Sequence, residues 1–185
     1  VGSEMCIRDR MIYEIKKYGS DILREEAKNV EKIDDEIKTI LDNMVETMYE
    51  TKGVGLAAPQ VGISLRMFVC DKGDGVVKKI INPKITPLTN TLTECEEGCL
   101  SVPGIYKKVR RPEKIKIEYT NIDGENITEE VDDFLAIIMQ HEYDHLDGIL
   151  FVDKVSPIAK RMISRKLQAM KKETKKAEEL SLIHI

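Results

Sequence analysis

The segment His141-Glu142-Tyr143-Asp144-His145 constrains this chain more than any other. Two histidines four residues apart share one helix face, with Cβ atoms roughly 5–6 Å apart, so both imidazoles can reach a single cation. Glu142 then lies about 100° around the helix from His141, beside the cation rather than beneath it. A base placed there can take a proton from water. The motif needs a helical context, and the preceding Phe134, Leu135, Ile138, Met139 and Gln140 provide one. Asp132 or Asp133 can cap such a helix, and Gly148 stands just past its end, so the spacing predicts a helix over about 132–146. The competing reading is a pair of surface histidines on an amphipathic helix.

A hydrolytic metal centre needs a third protein ligand and one open position. The remaining histidine, His184, lies at the very end of the chain, and Asp153 has no helical spacing to recommend it. Cys99, within Glu97-Gly98-Cys99-Leu100-Ser101, is the better candidate, since the neighbouring glycine lets backbone approach an ion or substrate closely. Cys95 opens a rival: Cys95, Cys99, His141 and His145 would form a closed structural site. Residues four apart on an extended strand are roughly 13 Å apart, so the chain would have to turn back between the two thiols. A closed site would also leave Glu142 without a task.

The rest of the chain supplies a scaffold. Ile37, Ile40, Leu41, Met44, Val45 and Met48 recur at helical spacing behind Asp34, a candidate N-cap, and predict a helix ending before Gly53. Strand-like runs cover Leu65 to Cys70, Val76 to Ile81 and Lys114 to Thr120, and Asp123-Gly124 is a hairpin turn into a partner strand over Glu125 to Glu130. A last helix follows Pro157, with Ile158, Met162, Ile163, Leu167 and Met170 as its apolar stripe. Helices at both ends of a strand-rich middle predict an α+β fold: mostly antiparallel strands packed around the central HExxH helix, flanked by an N-terminal and a C-terminal helix. The expected unit is one catalytic domain over 11–180. Residues 1–10 carry no periodicity and 181–185 are a short apolar run, so both read as non-native tails.

With 42% hydrophobic and 34% charged residues, the composition is that of a globular protein rather than a disordered one. A net charge of -4 argues against DNA as a partner, and no run is long and apolar enough to enter a membrane. Four scattered cysteines without a secretory signal point to free thiols in a reducing cytoplasm.

Gly53-Val54-Gly55-Leu56-Ala57-Ala58-Pro59-Gln60 alone indicates only a tight turn, and without a following Gly-Lys-Ser/Thr it is no phosphate loop. Taken with the other two motifs, it carries a resemblance. The segment resembles the GxGLAAxQ motif of peptide deformylases, Glu97 to Ser101 their EGCLS motif, and His141 to Gly148 their HExxHLDG motif, in the family's order. Tyr18 to Arg24 also looks like the family's N-terminal segment, so the resemblance covers about 11–175. It implies that Cys99, His141 and His145 bind the ion, that Glu142 moves the proton, and that the Gln60 side chain and Leu100 backbone N–H face the formyl oxygen. It further implies that Val54, Gly55 and Gly98 pair with an extended substrate, and that Val54, Phe134, Ile137 and Ile138 line an apolar pocket for its methionine. Asp133 and Ile137 depart from the family, where Gly and Arg are common.

The expected function is hydrolysis of the N-formyl group of nascent polypeptides, with release of formate. One divalent ion is expected: iron(II) by the resemblance, with zinc, nickel or cobalt also compatible with a Cys-His-His set. The alternatives are an endopeptidase using the same HExxH chemistry and a non-catalytic Cys2His2 binding module. The basic C-terminal helix, with Lys160, Arg161, Arg165, Lys166, Lys171, Lys172, Lys175 and Lys176, reads either as a solvated face or as a contact with ribosomal RNA.

Overall fold

A computed structural model describes residues 11–183. The first helix, α1 (Asp35–Glu50), starts as its sequence predicts, with the Asp34 carboxylate accepting from Ile37 N–H at 3.0 Å. It buries Ile37, Leu41, Met44 and Met48 against Leu56, Met67 and Val69. Those three residues belong to β1 (Gly55–Ala57) and β2 (Met67–Cys70).

Five antiparallel strands form the main sheet in the order β1-β2-β3-β6-β7, where β3 is Lys78–Pro87, β6 is Lys114–Thr120 and β7 is Asn126–Asp132. The expected hairpin at Asp123-Gly124 sets the β6–β7 register, pairing Thr120 with Asn126. On the sheet face opposite α1 lies α2 (Asp133–Leu146), the HExxH helix, with Ala136, Ile138, Met139 and Leu146 packed on Phe68, Ile80, Ile115 and Ile117.

A separate two-stranded ribbon, β4 (Leu92–Cys99) and β5 (Val102–Pro112), carries the cysteine motif. Sequence patterning misses it, along with the short β1 and the outer half of β3. The reason is physical. β4 reads Leu-Thr-Glu-Cys-Glu-Glu-Gly-Cys, and its one buried residue is the charged Glu97, so no apolar alternation marks it. Its register also shifts between Glu97 and Cys99.

The last helix, α3 (Pro157–Ile183), requires a correction. Ile163 and Leu167 are buried, with Met170 packed beside them, against Val102, Leu150 and Phe151. Ile158 and Met162, expected on the same stripe, are 71% and 67% exposed. The covered stripe is therefore narrower than the periodicity implies: it runs through Ala159, Ile163, Leu167 and Met170, and Ile158 and Met162 each lie about 100° around the helix from it. Of the expected non-native tails, residues 1–10 and 184–185 fall outside the described residues, while 181–183 continue α3.

The expected cap of α2 also differs. Asp132 occupies the N-cap position, but its side chain makes no capping hydrogen bond. Asp133 adopts φ 57, a left-handed backbone that costs a β-carbon roughly 1–2 kcal/mol and that glycine adopts freely. That is the physical content of the departure from glycine at this position. Gly148 meets the expectation: it closes the helix at φ 73, and a β-carbon there would lie 2.6 Å from the Arg24 carbonyl oxygen.

Candidate metal centre and substrate cleft

Helix α2 presents His141 and His145 on one face, as four-residue spacing requires, and the end of β4 brings Cys99 to them. Among the described residues these three form the one group whose ligand atoms all lie within 4.8 Å of one another. Cys99 Sγ is 3.4 Å from His145 Nε2. Tetrahedral ligation with metal–sulfur near 2.3 Å and metal–nitrogen near 2.05 Å sets sulfur and nitrogen roughly 3.5 Å apart, so the donor set fits a first-row divalent ion.

The closed four-ligand alternative does not form. Cys95 lines the cleft, but its thiol bonds to the Glu96 carbonyl at 3.6 Å and stays outside the ligand group. Asp153 is likewise no ligand: its carboxylate holds Arg24 through two nitrogens, at 2.5 and 3.1 Å, and accepts from Leu150 N–H.

Behind His141 lies a buried charged network that sequence inspection did not find. The Glu97 carboxylate faces His141 Nδ1 at 2.9 Å. A carboxylate only accepts, so Nδ1 carries the proton and Nε2 is left for an ion. Glu97 is gripped in turn by Arg111 Nε at 2.6 Å and Nη2 at 2.9 Å, while Arg111 Nη1 donates to Asp144 at 2.8 Å. Burial works to raise the Glu97 carboxyl, but the His141 and Arg111 hydrogen bonds, with the Arg111 charge, hold it down at about 2. Glu97 stands inside the quoted motif, which was its only sequence signal. Arg111 sits at the end of a strand without apolar periodicity and had none.

Glu142 occupies a different environment. It is 4% exposed, its Oε1 is 3.9 Å from His141 Nε2, and its Oε2 is buried without any partner. Burial pushes this carboxyl up to about 7, with the Glu97 and Asp144 charges adding to the effect and His141 and Arg111 opposing it. A carboxyl poised near neutrality beside a ligand group is suited to both accepting and returning a proton.

Gln60, 1% exposed, is fixed at the opposite wall. Its Oε1 accepts from Ala57 N–H at 3.0 Å, which orients Nε2 toward Ser101 Oγ at 3.1 Å and Cys99 Sγ at 3.4 Å. A cleft of about 470 Å³ connects these groups to solvent. Its walls include Val54, Gly55, Gln60, Gly98, Cys99, Leu100, Phe134, Ile137, Ile138, His141 and Glu142. Of the residues singled out in the sequence, His145 alone does not line it, being buried behind the others at 1% exposure. Ile137 and Ile138 form a floor at 5% and 4% exposure, whereas Val54 and Phe134 stand open at the rim at 42% and 43%. Lys17, Lys52 and Tyr106 also line the cleft, although no motif or periodicity marks them.

Residues 12–161 match the family model for polypeptide deformylase. A peptide deformylase of Fusobacterium nucleatum is 60% identical over 171 residues, spanning 91% of this chain and 98% of that protein. The crystal structure of peptide deformylase from Thermotoga maritima superposes with a TM-score of 0.78 at 45% identity, covering 80% of this chain and 100% of that one. A Synechococcus elongatus peptide deformylase in complex with actinonin gives a TM-score of 0.77 at 39% identity, covering 88% of this chain and 85% of that one. With a ligand group, a buried carboxyl and an apolar cleft at the matching motifs, the chain belongs to the polypeptide deformylase family.

Proposed function

We propose that this chain removes the N-formyl group from the formyl-methionine that begins nascent polypeptides, releasing formate and a free amine. The observation that carries the reading is Glu142: a buried carboxyl with an unpartnered oxygen, opening into the same cleft as Cys99, His141 and His145.

Cys99, His141 and His145 would hold one divalent ion, with the Glu97–Arg111 pair keeping His141 in the tautomer that binds. Such an ion supplies Lewis acidity and lowers the pKa of water toward ~7. The Glu142 carboxylate takes a proton from the water that adds to the formyl carbon. It then gives that proton to the departing nitrogen as the carbon–nitrogen bond breaks. The Gln60 amide and Leu100 N–H face the formyl oxygen as it gains charge, each contributing about 2.7–4 kcal/mol to barrier lowering. The backbones of Val54, Gly55 and Gly98 pair with the extended substrate as an added strand. Its methionine side chain packs on Ile137 and Ile138, with Val54 and Phe134 at the rim.

Family membership supports iron(II) as the native ion, and the Cys-His-His set also accepts zinc, nickel or cobalt. Residues 11–180 act as the catalytic unit, in the cytoplasm where formylated chains are made. The basic face of α3 would touch ribosomal RNA; deleting 171–180 should weaken co-sedimentation with ribosomes at low salt, and unchanged binding removes this contact from the reading.

The test of the whole is formate release from formyl-Met-Ala-Ser by anaerobically purified protein, paired with metal analysis and with an internal-peptide-bond substrate. Formate release without internal cleavage is expected, with a loss of at least about a hundredfold in kcat for Glu142→Ala. Internal cleavage instead would mark an endopeptidase, and an indifferent Glu142→Ala variant a binding module.

A further inference from the structure

Two lysines stand at the mouth of the cleft without an acidic partner. Lys17 and Lys52 are both exposed, and neither forms an ion pair among the described residues. Both line the cleft beside Leu100. Lys17 Nζ donates to the Leu100 carbonyl at 3.2 Å. Gly53, directly after Lys52, abuts the Leu100 side chain so closely that a β-carbon there would be 3.0 Å from Leu100 Cδ1.

Lys52 also holds an unfavourable backbone. It is the left-handed stop of α1, at φ 58, with its N–H bonded to the Tyr49 carbonyl and the Gly53 N–H to that of Met48. Glycine fills such a position without steric cost, and a β-carbon does not. What lysine brings there is a charge held at the cleft mouth. The other charged residues lining the cleft do not cancel it fully. Glu97 is already paired with Arg111, Glu142 is buried, and Glu96 is the single exposed acid against two ammonium groups.

We infer that Lys17 and Lys52 select substrates carrying an acidic side chain on the residue directly after the methionine. The inference rests on the deformylase reading, because that reading puts the formyl end at the Leu100 N–H. Successive side chains of an extended chain point to opposite faces. With the methionine directed into the floor of Ile137 and Ile138, the next side chain faces the open mouth of the cleft, which Lys17 and Lys52 line as exposed residues. Exposed ion pairs are weak and screened by salt, so the effect is a preference rather than a requirement.

The experiment compares kcat/KM for formyl-Met-Asp-Ser and formyl-Met-Lys-Ser with the full chain, at low salt and at about 1 M salt, where the Debye length is ~3 Å. The aspartyl peptide should be favoured by about fivefold at low salt, and the two should converge at high salt. The Lys17→Glu/Lys52→Glu double variant should invert the ratio. Lys52→Gly, which removes the charge and the backbone strain together, should reduce the ratio while raising Tm by about 2 °C.

Equal low-salt rates, or a ratio untouched by the double variant, would overturn the inference. So would a larger acidic preference with formyl-Met-Ala-Asp against formyl-Met-Ala-Lys, which would place the contact one residue further on. Formyl-Met-Ala-Ser separates the two levels: formate release without charge preference sinks only the inference, and no release sinks the deformylase reading and the inference with it.

Discussion

Gly55 and Glu142 are in contact in a way that leaves no room for a side chain between them: a β-carbon on Gly55 would lie 2.9 Å from both Cγ and Oε1 of Glu142. The glycine of β1 thus fixes where the carboxyl of α2 rests, across an interface between elements distant in sequence. Its φ is not left-handed, so close approach alone demands glycine here.

Gly55→Ala is therefore expected to push the Glu142 carboxyl aside. The kcat for formate release should fall by roughly 10- to 100-fold, within the range that a general base supplies. Metal content and Tm should change little. Full activity in the alanine variant, measured alongside metal content, would show that the carboxyl position is not set by this contact.

Arg111→Ala should be severe for a different reason. It strands the Glu97 carboxylate, whose side chain is 5% exposed, without its arginine, and leaves Asp144, 13% exposed, with only Lys154 at 3.6 Å. Removing one partner of a buried pair costs about 3–5 kcal/mol. Urea unfolding of chelator-treated protein should show a loss of that order, and metal affinity of the folded variant should drop because His141 loses its anchored partner. A loss below about 1 kcal/mol would mean that the network relaxes or fills with water.

The same network predicts a response to acid. The Glu97 carboxyl sits at about 2 in the folded chain against an ordinary 4.5. A depressed acid contributes stability that is present above its unfolded value and disappears as pH falls through its folded one. Chelator-treated wild type should thus lose stability between about pH 4.5 and 2 more steeply than Glu97→Gln, as read from urea midpoints. Parallel curves would rule out Glu97 as a contributor.

Cysteine reactivity should report on the ligand set. Burial raises the Cys70 thiol to about 12, so it should resist alkylation at pH 8 until the chain unfolds. Cys95, partly exposed, should react before Cys70 but slowly, since burial and the Glu97 and Glu96 charges raise its thiol. Cys99 should be protected in metal-loaded protein and become reactive after chelation, as followed by peptide mass mapping. Alkylation of Cys99 at equal rates before and after metal removal would exclude it as a ligand.

The sequence alone determined a good deal here. The His141–His145 spacing, the Asp34 cap, the stripe from Ile37 to Met48 and the Asp123-Gly124 turn are local facts, written in repeats of two to four residues. Helices and hairpins obey such periods. Local patterning also chose Cys99 over Cys95 and Asp153, and the structure brings that sulfur to the two imidazoles.

Tertiary structure decided the rest. The β4–β5 ribbon has too little apolar alternation to announce itself, yet it delivers Cys99. Arg111 is a surface-type residue whose burial follows only once the ribbon folds over α2. Ile158 and Met162 keep a helical period but find nothing to cover them. Periodicity states which face of an element is apolar. Whether that face is covered, and which charge is sealed beneath another element, depends on contacts between residues far apart in sequence, and no local period records them.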